Sequence, residues 1–441
     1  MLYKPLTIIY SFCIQDVRIQ KTIFEIIYMK EKLSDFVRRM ALAAINLWES
    51  PLGAALLAGF VYLLVSGYSS SLLFTPSNNA YYNYLADAFL HGQTWFRIMP
   101  PSVADLSFFN GRYYLYWSPF PAFVLMPFVA IFGVQLNDVL YTVLIAALNV
   151  GLVSLLLRAA RRAGFLHLSK TQRAILTFFF ALGTVHFTLA PYGMVWYTGQ
   201  LIGFTCTLLA YLAAFSLRGG KAWFFTGLAL AGAMLTRSQM VFTGIFPAAY
   251  LICQEKPWNW GRVLRNLAWA ALPLAAALSF YLYYNQVRFG SPTDVGLAYH
   301  IGSDFYRADL ARYGFFNLRY IPNNFYYQYI FYPFPLRQES LLGGSLFLLS
   351  PLFFGVFAAF WKPPRKIFVW ALLASILVTN IPIILCIGTG YRQFGPRYTL
   401  DFTVPLLLLT ALGIEKWKPS IPFILAIISF IHYFIGVNAL G

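Results

Sequence analysis

Residues 137–157, NDVLYTVLIAALNVGLVSLLL, decide the fold. The stretch carries a single charged residue and is long enough to cross a bilayer as a helix, which needs about 20 residues. Basic residues follow at once, because Arg158, Arg161 and Arg162 open a connection to residue 173 that contains no acid. An apolar run followed by such a loop is typical of a membrane-spanning helix that ends on the cytoplasmic side.

The composition of the whole chain supports this interpretation. Of 441 residues, 59% are hydrophobic and 11% are charged, whereas soluble proteins carry about 25% charged residues. The four cysteines, Cys13, Cys206, Cys253 and Cys386, lie far apart in the chain. Their spacing indicates neither a disulfide framework nor a zinc site. The composition therefore excludes an ordinary soluble protein.

Further apolar runs bounded by charges repeat the pattern along the chain. We therefore expect an all-α, polytopic membrane protein of about 11 transmembrane helices. One more run, residues 120–133, is too short to span and carries two prolines; it is predicted to be juxtamembrane or re-entrant. The predicted spans are residues 51–73, 137–157, 174–191, 199–217, 222–236, 239–253, 266–286, 342–360, 367–387, 399–413 and 420–438.

The distribution of charge predicts the orientation. With these spans, 22 of the 32 basic residues and 7 of the 15 acids lie on the same face as the N-terminus, which is therefore cytoplasmic. Residues 1–50 are predicted to be a basic cytoplasmic tail without a signal peptide, in which Met29 is an alternative start. Residues 51–438 are predicted to form a single transmembrane domain. Because orientation explains the basic excess, no nucleic-acid partner is expected.

Every basic residue assigned to the outer face is an arginine. Two interpretations stay open: some of these arginines anchor helix ends, or the set recognises phosphate or carboxylate with its forked guanidinium groups. The outside arginines are Arg97, Arg112, Arg237, Arg288, Arg307, Arg312, Arg319, Arg337, Arg392 and Arg397.

Two outside loops are long, residues 74–136 and 287–341, and long ordered loops are usually functional. In the first loop, residues 80–90 are predicted to form a short helix that carries Asp87. Asp105 precedes the turn at Asn110 and Gly111. Either carboxylate is a candidate general base for an attacking hydroxyl. The alternative for each is a solvated surface group or a helix cap.

Arg237 is the strongest candidate among the cations. It connects two short apolar runs, so it is predicted to lie below the outer membrane surface, where an unpaired cation is costly. It either faces a ligand in a cavity or pairs with a structural acid such as Asp401. Arg397 lies four residues before Asp401, so an ion pair between these two is as plausible as contact with a ligand.

No cofactor is expected from the sequence. The five histidines never form a pair at ligand spacing, and no glycine-rich nucleotide-binding motif occurs. A divalent ion held by carboxylates stays an open alternative. Since the arginines suggest a phosphorylated substrate and no nucleotide motif is present, we expect the phosphate to arrive on a lipid.

Several segments, in this order along the chain, resemble bacterial GT-C glycosyltransferases, the superfamily that includes protein O-mannosyltransferases and the lipid A aminoarabinose transferase. The resemblance covers residues 50–415 and includes the group described as dolichyl-phosphate-mannose mannosyltransferase-like. The segments are YLADAFLHG from Tyr84, NGRYY from Asn110, LTR from Leu235, RFGSP from Arg288 and FGPRY from Phe394.

The resemblance implies a multi-pass protein of the bacterial cytoplasmic membrane that transfers a sugar from a polyprenyl phosphate, with inversion and usually without a metal. The acceptor on the outer face would be a glycolipid, a polysaccharide or a protein. By this resemblance the catalytic base is Asp105, with Asp87 as second choice. Arg237, Arg397 and Arg288 would bind the donor phosphate, and Arg112, Tyr113 and Tyr114 would lie on the acceptor side.

One departure from the family leaves other functions open. Better-known members carry an acidic pair after the first span, where this chain has Asn78 and Asn79. Catalysis is therefore moved to another acid, altered or lost. The alternatives are a transporter or lipid flippase, a ligase that moves whole oligosaccharides from a lipid diphosphate, and a structural role in an assembly.

Overall fold

The computed structural model describes residues 30, 32–69, 73, 75–255, 259–302, 304–361, 366–390 and 393–439; of residues 69 and 304–306 it describes the backbone alone. Most of the predicted basic tail, including Met29, lies outside the described residues, as does Arg392. The chain divides into two compact units, Met1–Leu47 and Trp48–Gly441. In the first unit, residues 32–47 are helical. The second unit contains all the predicted spans.

The second unit is built almost entirely of helices. Its α-helices in the described residues are α1 Pro51–Ser69, α2 Tyr81–Leu90, α3 Phe120–Phe132, α4 Asp138–Arg162, α5 Lys170–Leu182, α6 His186–Leu189, α7 Val195–Ser216, α8 Gly219–Met234, α9 Ile245–Gln254, α10 Trp260–Phe289, α11 Asp304–Tyr313, α12 Ile321–Phe325, α13 Leu346–Leu349, α14 Gly355–Ala358, α15 Lys366–Leu385, α16 Thr403–Gly413 and α17 Ser420–Asn438. Short 3₁₀ segments include Ser238–Gly244, Leu297–Tyr299 and Arg397–Phe402, and Tyr326–Ile330 is a π-helix.

The predicted count of about 11 transmembrane helices is not confirmed. Six helices of the described residues, α1, α4, α7, α10, α15 and α17, are long and apolar enough to cross a membrane. The other predicted spans contain shorter or interrupted helices. The run 174–191 breaks at Gly183, and the run 342–360 breaks around Ser350 and Pro351. Glycine and proline weaken or end a helix even where the sequence stays apolar.

The predicted helical class is confirmed, and the described residues also include four short strands. β1 Ser107–Phe109 and β2 Arg112–Tyr114 form an antiparallel hairpin. Its turn places Asn110 and Gly111 at positive φ, 47° and 75°, and Asn-Gly is the preferred pair for such a turn. β3 Leu342–Gly343 and β4 Gln393–Phe394 pair in parallel.

The long helices pack side by side in a chain of contacts: α1 on α4, α4 on α7, α7 on α8, and α8 on α10. Small residues allow the closest approaches. At Gly227 in α8 a Cβ atom would lie 2.2 Å from the carbonyl oxygen of Ala270 in α10. Such small residues are favoured at helix contacts inside membranes, because they let two backbones approach closely.

The first outside loop forms a compact layer on these helices. The predicted helix over residues 80–90 is confirmed as α2, and the short apolar run becomes the 13-residue helix α3. The Asn83 amide donates to the carbonyl oxygens of Val134 and Leu136, at 3.1 and 2.7 Å, and so ties α2 to the end of this layer. The β1–β2 hairpin lies between α2 and α3 in sequence.

Candidate active site

A cavity of about 980 Å³ opens where several predicted outside connections meet. The first long loop, the start of α7, the second long loop and the connection after α15 all contribute to its wall. Because each of these segments was assigned to the same face, the cavity lies on the face opposite the predicted cytoplasmic one. The lining includes Asn79, Asp105, Tyr116, Trp117, Trp196, Tyr197, His300, Ile301, Cys386, Arg397 and Tyr398.

Asp105 lies in the cavity wall with its side chain 31% exposed. Its backbone has φ of 63°, a left-handed conformation that is uncommon outside glycine. The backbone N–H of Asp105 donates to the carbonyl oxygen of Ile301 at 3.0 Å, and the N–H of Ile301 donates to Leu106 at 2.7 Å. The two long outside loops are thereby joined at the position of this carboxylate.

His300 is the residue that the sequence analysis missed. Its Nε2 lies 3.1 Å from Oδ1 of Asp105. The ring also stands edge-on to Tyr116, with 4.9 Å between ring centroids. Burial, and then the Asp105 carboxylate, raise the pKa of the Tyr116 phenol well above its usual value, so this hydroxyl stays protonated. No spacing rule could have found His300, because its partners lie in a loop far away in sequence.

Arg397 brings positive charge to the same cavity. The residue is 5% exposed, and its guanidinium lies over the rings of Tyr398 and Tyr197, at 5.0 and 5.6 Å from their centroids. Its Nε has no hydrogen-bond partner among the described residues. Within that part of the chain, no carboxylate lies within 4.0 Å of the guanidinium.

Arg237 and Asp401 form a buried ion pair beside this site. The Nε of Arg237 donates to Oδ2 of Asp401 at 2.8 Å, and the two side chains are 10% and 0% exposed. Gln239 and Gln200 each donate to the same carboxylate at 2.7 Å. Of the two ion pairs considered for Asp401, the structure therefore forms the one with Arg237 and not the one with Arg397.

Gln200 links the ion pair to Arg397. Its amide nitrogen donates to Asp401 and also to the carbonyl oxygen of Arg397, at 2.8 Å. Arg237 and Arg397 both lie over the Tyr398 ring, at 5.2 and 5.0 Å. The structure therefore brings these two predicted arginines together, but only Arg397 lines the cavity. Gln200 left a weak signal in the sequence, as a polar residue in an apolar helix.

Asp87 and Arg288 lie outside the cavity lining. Both oxygens of Asp87 accept hydrogen bonds from Arg97, at 3.0 and 3.1 Å, in a two-pronged ion pair. Arg288 is 3% exposed and donates to the carbonyl oxygen of Leu115 at 2.7 Å and to Asn285 at 2.7 Å. Through Leu115, Arg288 fixes the chain just before Tyr116.

The predicted acceptor-side residues lie on β2 and do not line the cavity. Arg112 is exposed and stacks on the Trp95 ring at 3.8 Å. Tyr113 packs against Phe108, and Tyr114 packs against Phe289. The aromatic residues of this segment that reach the cavity are Tyr116 and Trp117, which follow the hairpin.

Asn79, one of the two asparagines that follow the first predicted span, lines the cavity. Its amide donates to the Tyr81 hydroxyl at 2.7 Å, and that hydroxyl donates to the carbonyl oxygen of Ala104, the neighbour of Asp105. Ser77 anchors the same segment, with its backbone N–H 2.7 Å from Asp138. The amide at position 79 is thereby tied to the backbone beside the candidate base.

The described residues contain no group of three or more His, Cys, Asp or Glu side chains that could hold a metal ion. In the cavity, the Asp105 carboxylate and the His300 imidazole lie next to each other. With Arg397 in the same wall, the arrangement can accept a proton from a hydroxyl and hold an anion.

No protein-family model and no curated protein matches the chain. The chain is similar to the solved apo structure of the Archaeoglobus fulgidus oligosaccharyltransferase, with TM-score 0.52 and 12% identity over 88% of this chain and 56% of that one. It also aligns with ArnT from Cupriavidus metallidurans bound to undecaprenyl phosphate, with TM-score 0.49 and 16% identity over 84% and 60%. A third match is oligosaccharyltransferase AglB from Archaeoglobus fulgidus in complex with an inhibitory peptide and a dolichol-phosphate, with TM-score 0.45 and 14% identity over 88% and 55%.

The chain spans less than two thirds of the length of each of these proteins. The first of the three likenesses shows a shared fold. The resemblance to GT-C enzymes that was drawn from short motifs is therefore confirmed as a likeness of fold.

Proposed function

We propose that this chain, which has the GT-C fold, is a multi-pass membrane glycosyltransferase. It would take a sugar from a polyprenyl-phosphate donor in the outward cavity and pass it, with inversion, to an acceptor on the extracytoplasmic face. The acceptor would be a glycolipid, a polysaccharide or a protein, and the membrane would be the bacterial cytoplasmic membrane with the N-terminus inside.

Arg397 is the observation that carries this proposal. A buried guanidinium that lacks a nearby carboxylate among the described residues is costly, so the site favours an anionic ligand. Arginine suits phosphate because its planar fork can donate two parallel hydrogen bonds. The surrounding rings of Tyr197, Tyr398 and Trp117 offer flat apolar faces on which a sugar or an isoprenoid can pack.

Asp105 would act as the general base. As the acceptor hydroxyl attacks the anomeric carbon, its proton passes to the carboxylate, and the bond from that carbon to the phosphate oxygen breaks. The electron pair stays on the lipid phosphate, where Arg397 stabilises the growing charge. A single displacement of this kind inverts the anomeric centre. Arg237, neutralised by Asp401, would support the position of Arg397 from behind Tyr398.

The position of the charged groups favours an enzyme over a transporter or flippase. Transporters place ionisable groups and broken helices around a site near the bilayer midplane. Here Asp105, His300 and Arg397 come from connections at the outer ends of the helices. A ligase for lipid-diphosphate oligosaccharides stays the second candidate, since its fold would be the same.

The test is transfer by the purified protein in liposomes. Radiolabelled mannose, glucose and 4-amino-4-deoxyarabinose would be supplied on polyprenyl monophosphate and, in parallel, on polyprenyl diphosphate, with a bacterial membrane extract as acceptor. We expect transfer from a monophosphate donor. Transfer from the diphosphate donors alone would favour the ligase, and donor movement across the bilayer without transfer would favour a flippase.

Asp105→Asn should lower the rate of transfer by a factor of about 10² to 10⁴, the usual contribution of general base catalysis. The matched control is Asp309→Asn, because Asp309 is an exposed carboxylate of α11 outside the cavity lining. The folded state of both variants would be compared by thermal unfolding in detergent. An Asp105→Asn protein that transfers at the wild-type rate would remove Asp105 from the mechanism.

A further inference from the structure

We propose that His300 is a positioning residue for the base, holding one oxygen of Asp105 so that the other faces the acceptor hydroxyl. This inference rests on the proposed function and assigns a role within that same site to the second long outside loop. The Nε2 of His300 lies 3.1 Å from Oδ1 of Asp105. This contact is short but is not aligned as a hydrogen bond, and among the described residues Asp105 is the one carboxylate within 4.0 Å of the ring.

The backbone, and not only the side chains, holds the pair together. Ser107 and His300 form an antiparallel bridge. Asp105 and Ile301 exchange hydrogen bonds with each other's segment, at 3.0 and 2.7 Å, and the Ser107 hydroxyl donates to Gly296 at 2.7 Å. The segment around His300 is therefore the third strand-like element beside the β1–β2 hairpin. Removing the His300 side chain leaves this backbone frame in place.

Among the described residues that line the cavity, Asp105 is the one carboxylate and His300 is the one imidazole. The other ionisable residues of the lining are Tyr116, whose phenol pKa is raised by burial and by Asp105, and Tyr192, Tyr197, Cys386, Arg397 and Tyr398. Outside the lining, burial and then, more weakly, Asp105 raise the phenol pKa of Tyr81. On the His300 segment itself, Asp294 accepts from the backbone N–H of Gly296, and Tyr299 packs against Phe109.

The chemistry of the pair follows from these positions. With its proton on Nε2, a neutral imidazole would donate to Oδ1 once the two groups align, and would then restrict rotation of the carboxylate. Catalytic hydrogen bonds are often poorly aligned before substrate binds and shorten in the reacting complex.

Two substitutions of His300 test whether its hydrogen-bond donor positions the base. His300→Ala removes the donor, so kcat should fall about 10- to 100-fold, which is at or below the lower end of the contribution of general base catalysis, while KM for the lipid-linked donor stays unchanged. In His300→Gln the side-chain amide can still donate to Asp105. We expect kcat within a few-fold of wild type, and a kcat as low as that of His300→Ala would contradict the positioning role.

His91→Gln is the matched control. His91 lies 3.6 Å from Asp87 in the first loop, so it also pairs with a carboxylate, but neither residue lines the cavity. This variant should keep the wild-type kcat. A merely structural role for His300 would lower the yield or thermal stability of His300→Ala without lowering the kcat of the folded enzyme.

The outcomes distinguish this inference from the function on which it rests. His300→Ala with wild-type kcat, alongside an inactive Asp105→Asn, would overturn the role of His300 alone. A wild-type protein that transfers no sugar from any donor would overturn the proposed function. For that case, ¹⁵N NMR of histidine-labelled protein in detergent tests the pair without activity: the ring signal that His300→Gln removes should change its chemical shift in Asp105→Asn at a fixed pH, and an unchanged signal would overturn the pairing.

Discussion

At the scale of single residues, the buried charges divide into paired and unpaired groups. Asp401 meets Arg237, Asp87 meets Arg97, and Glu49 meets Arg173 at 2.7 Å. Arg397 meets no carboxylate within the described part of the chain. Arg288 also meets no carboxylate there, but it donates to Leu115 and Asn285 outside the cavity lining. Arg397 donates to the Tyr398 hydroxyl at 3.3 Å and lines the cavity, where an anion can reach it. Arg237 and Arg397 look alike in the sequence, but they need different tests because Arg237 is paired with a carboxylate.

Arg397→Ala should lower kcat/KM for the lipid-linked donor by about 10²- to 10³-fold, because removing one group that stabilises transition-state charge has effects of that size. Arg397→Lys keeps the charge but loses the fork, so it should recover only part of the activity. Arg312→Ala, an exposed arginine of α11, is the control. The measurement is the steady-state rate over a range of donor concentrations; equal rates for the wild type and Arg397→Ala would contradict the assignment.

Asp401→Asn should destabilise the protein by about 3 to 5 kcal/mol, since breaking a buried ion pair leaves an uncompensated charge. Glu339→Gln breaks an exposed pair with Arg337, in which the side chains are 39% and 63% exposed, and should change stability by about 0 to 1 kcal/mol. Thermal unfolding in detergent compares the two variants. Equal midpoints would mean that the Arg237 charge is solvated rather than buried.

At the scale of elements, the sequence located the helices well and their lengths poorly. Apolar runs bounded by charges mark the six long apolar helices, and α2 and α3 were expected within a few residues. The helices of the second long loop, α11 and α12, were not predicted. The interruptions at Gly183 and Pro351 were missed because an apolar count does not register backbone breaks. The Asn110-Gly111 turn was recognised, but the short strands on either side of it were not.

The residues of the candidate site also divide into those that the sequence could predict and those that it could not. Asp105 and Arg397 could be proposed from residue type and from the order of the motifs. His300 and Gln200 could not, because each acts through a partner in a segment that folding alone brings close. The partners of Asp87 and Arg288 were likewise invisible in the sequence, and those partners place both side chains outside the cavity lining.

Gly227→Ala tests the packing of α8 on α10. The added methyl would lie 2.2 Å from the Ala270 carbonyl oxygen, a backbone atom that cannot move aside, so overpacking should cost about 1 to 3 kcal/mol. In Gly67→Ala, on α1, the nearest atom is a Leu73 methyl group at 3.8 Å, and stability should hold or rise by up to about 1 kcal/mol. A stability of Gly227→Ala equal to that of Gly67→Ala would contradict the close contact.

At the scale of the whole molecule, one predicted orientation connects the charge pattern with the cavity. The predicted cytoplasmic face carries all the lysines, and the cavity is built from connections assigned to the opposite face. Under the proposed function, a lipid-linked donor would keep its isoprenoid in the membrane while its phosphate and sugar enter this cavity. The fold, the orientation and the site chemistry therefore belong to a single hypothesis.

Single cysteines on exposed arginines test this orientation. In a background without the native cysteines, Arg312→Cys on α11 should react with a membrane-impermeant maleimide in intact cells, and Arg162→Cys at the end of α4 only after permeabilisation. The readout is the gel shift of the labelled protein. The opposite labelling pattern would place the cavity on the cytoplasmic side.

The central claim is that the outward cavity holds the phosphate of a lipid carrier at Arg397. An electron cryomicroscopy structure of the protein in nanodiscs with undecaprenyl phosphate tests it most directly. We predict phosphate density about 3 Å from the Arg397 guanidinium, a hydrogen-bond distance, on the same cavity wall as Asp105, with the isoprenoid leaving toward the bilayer, and no such density in Arg397→Ala. A phosphate bound elsewhere on the protein, or the same density in both proteins, would contradict the account.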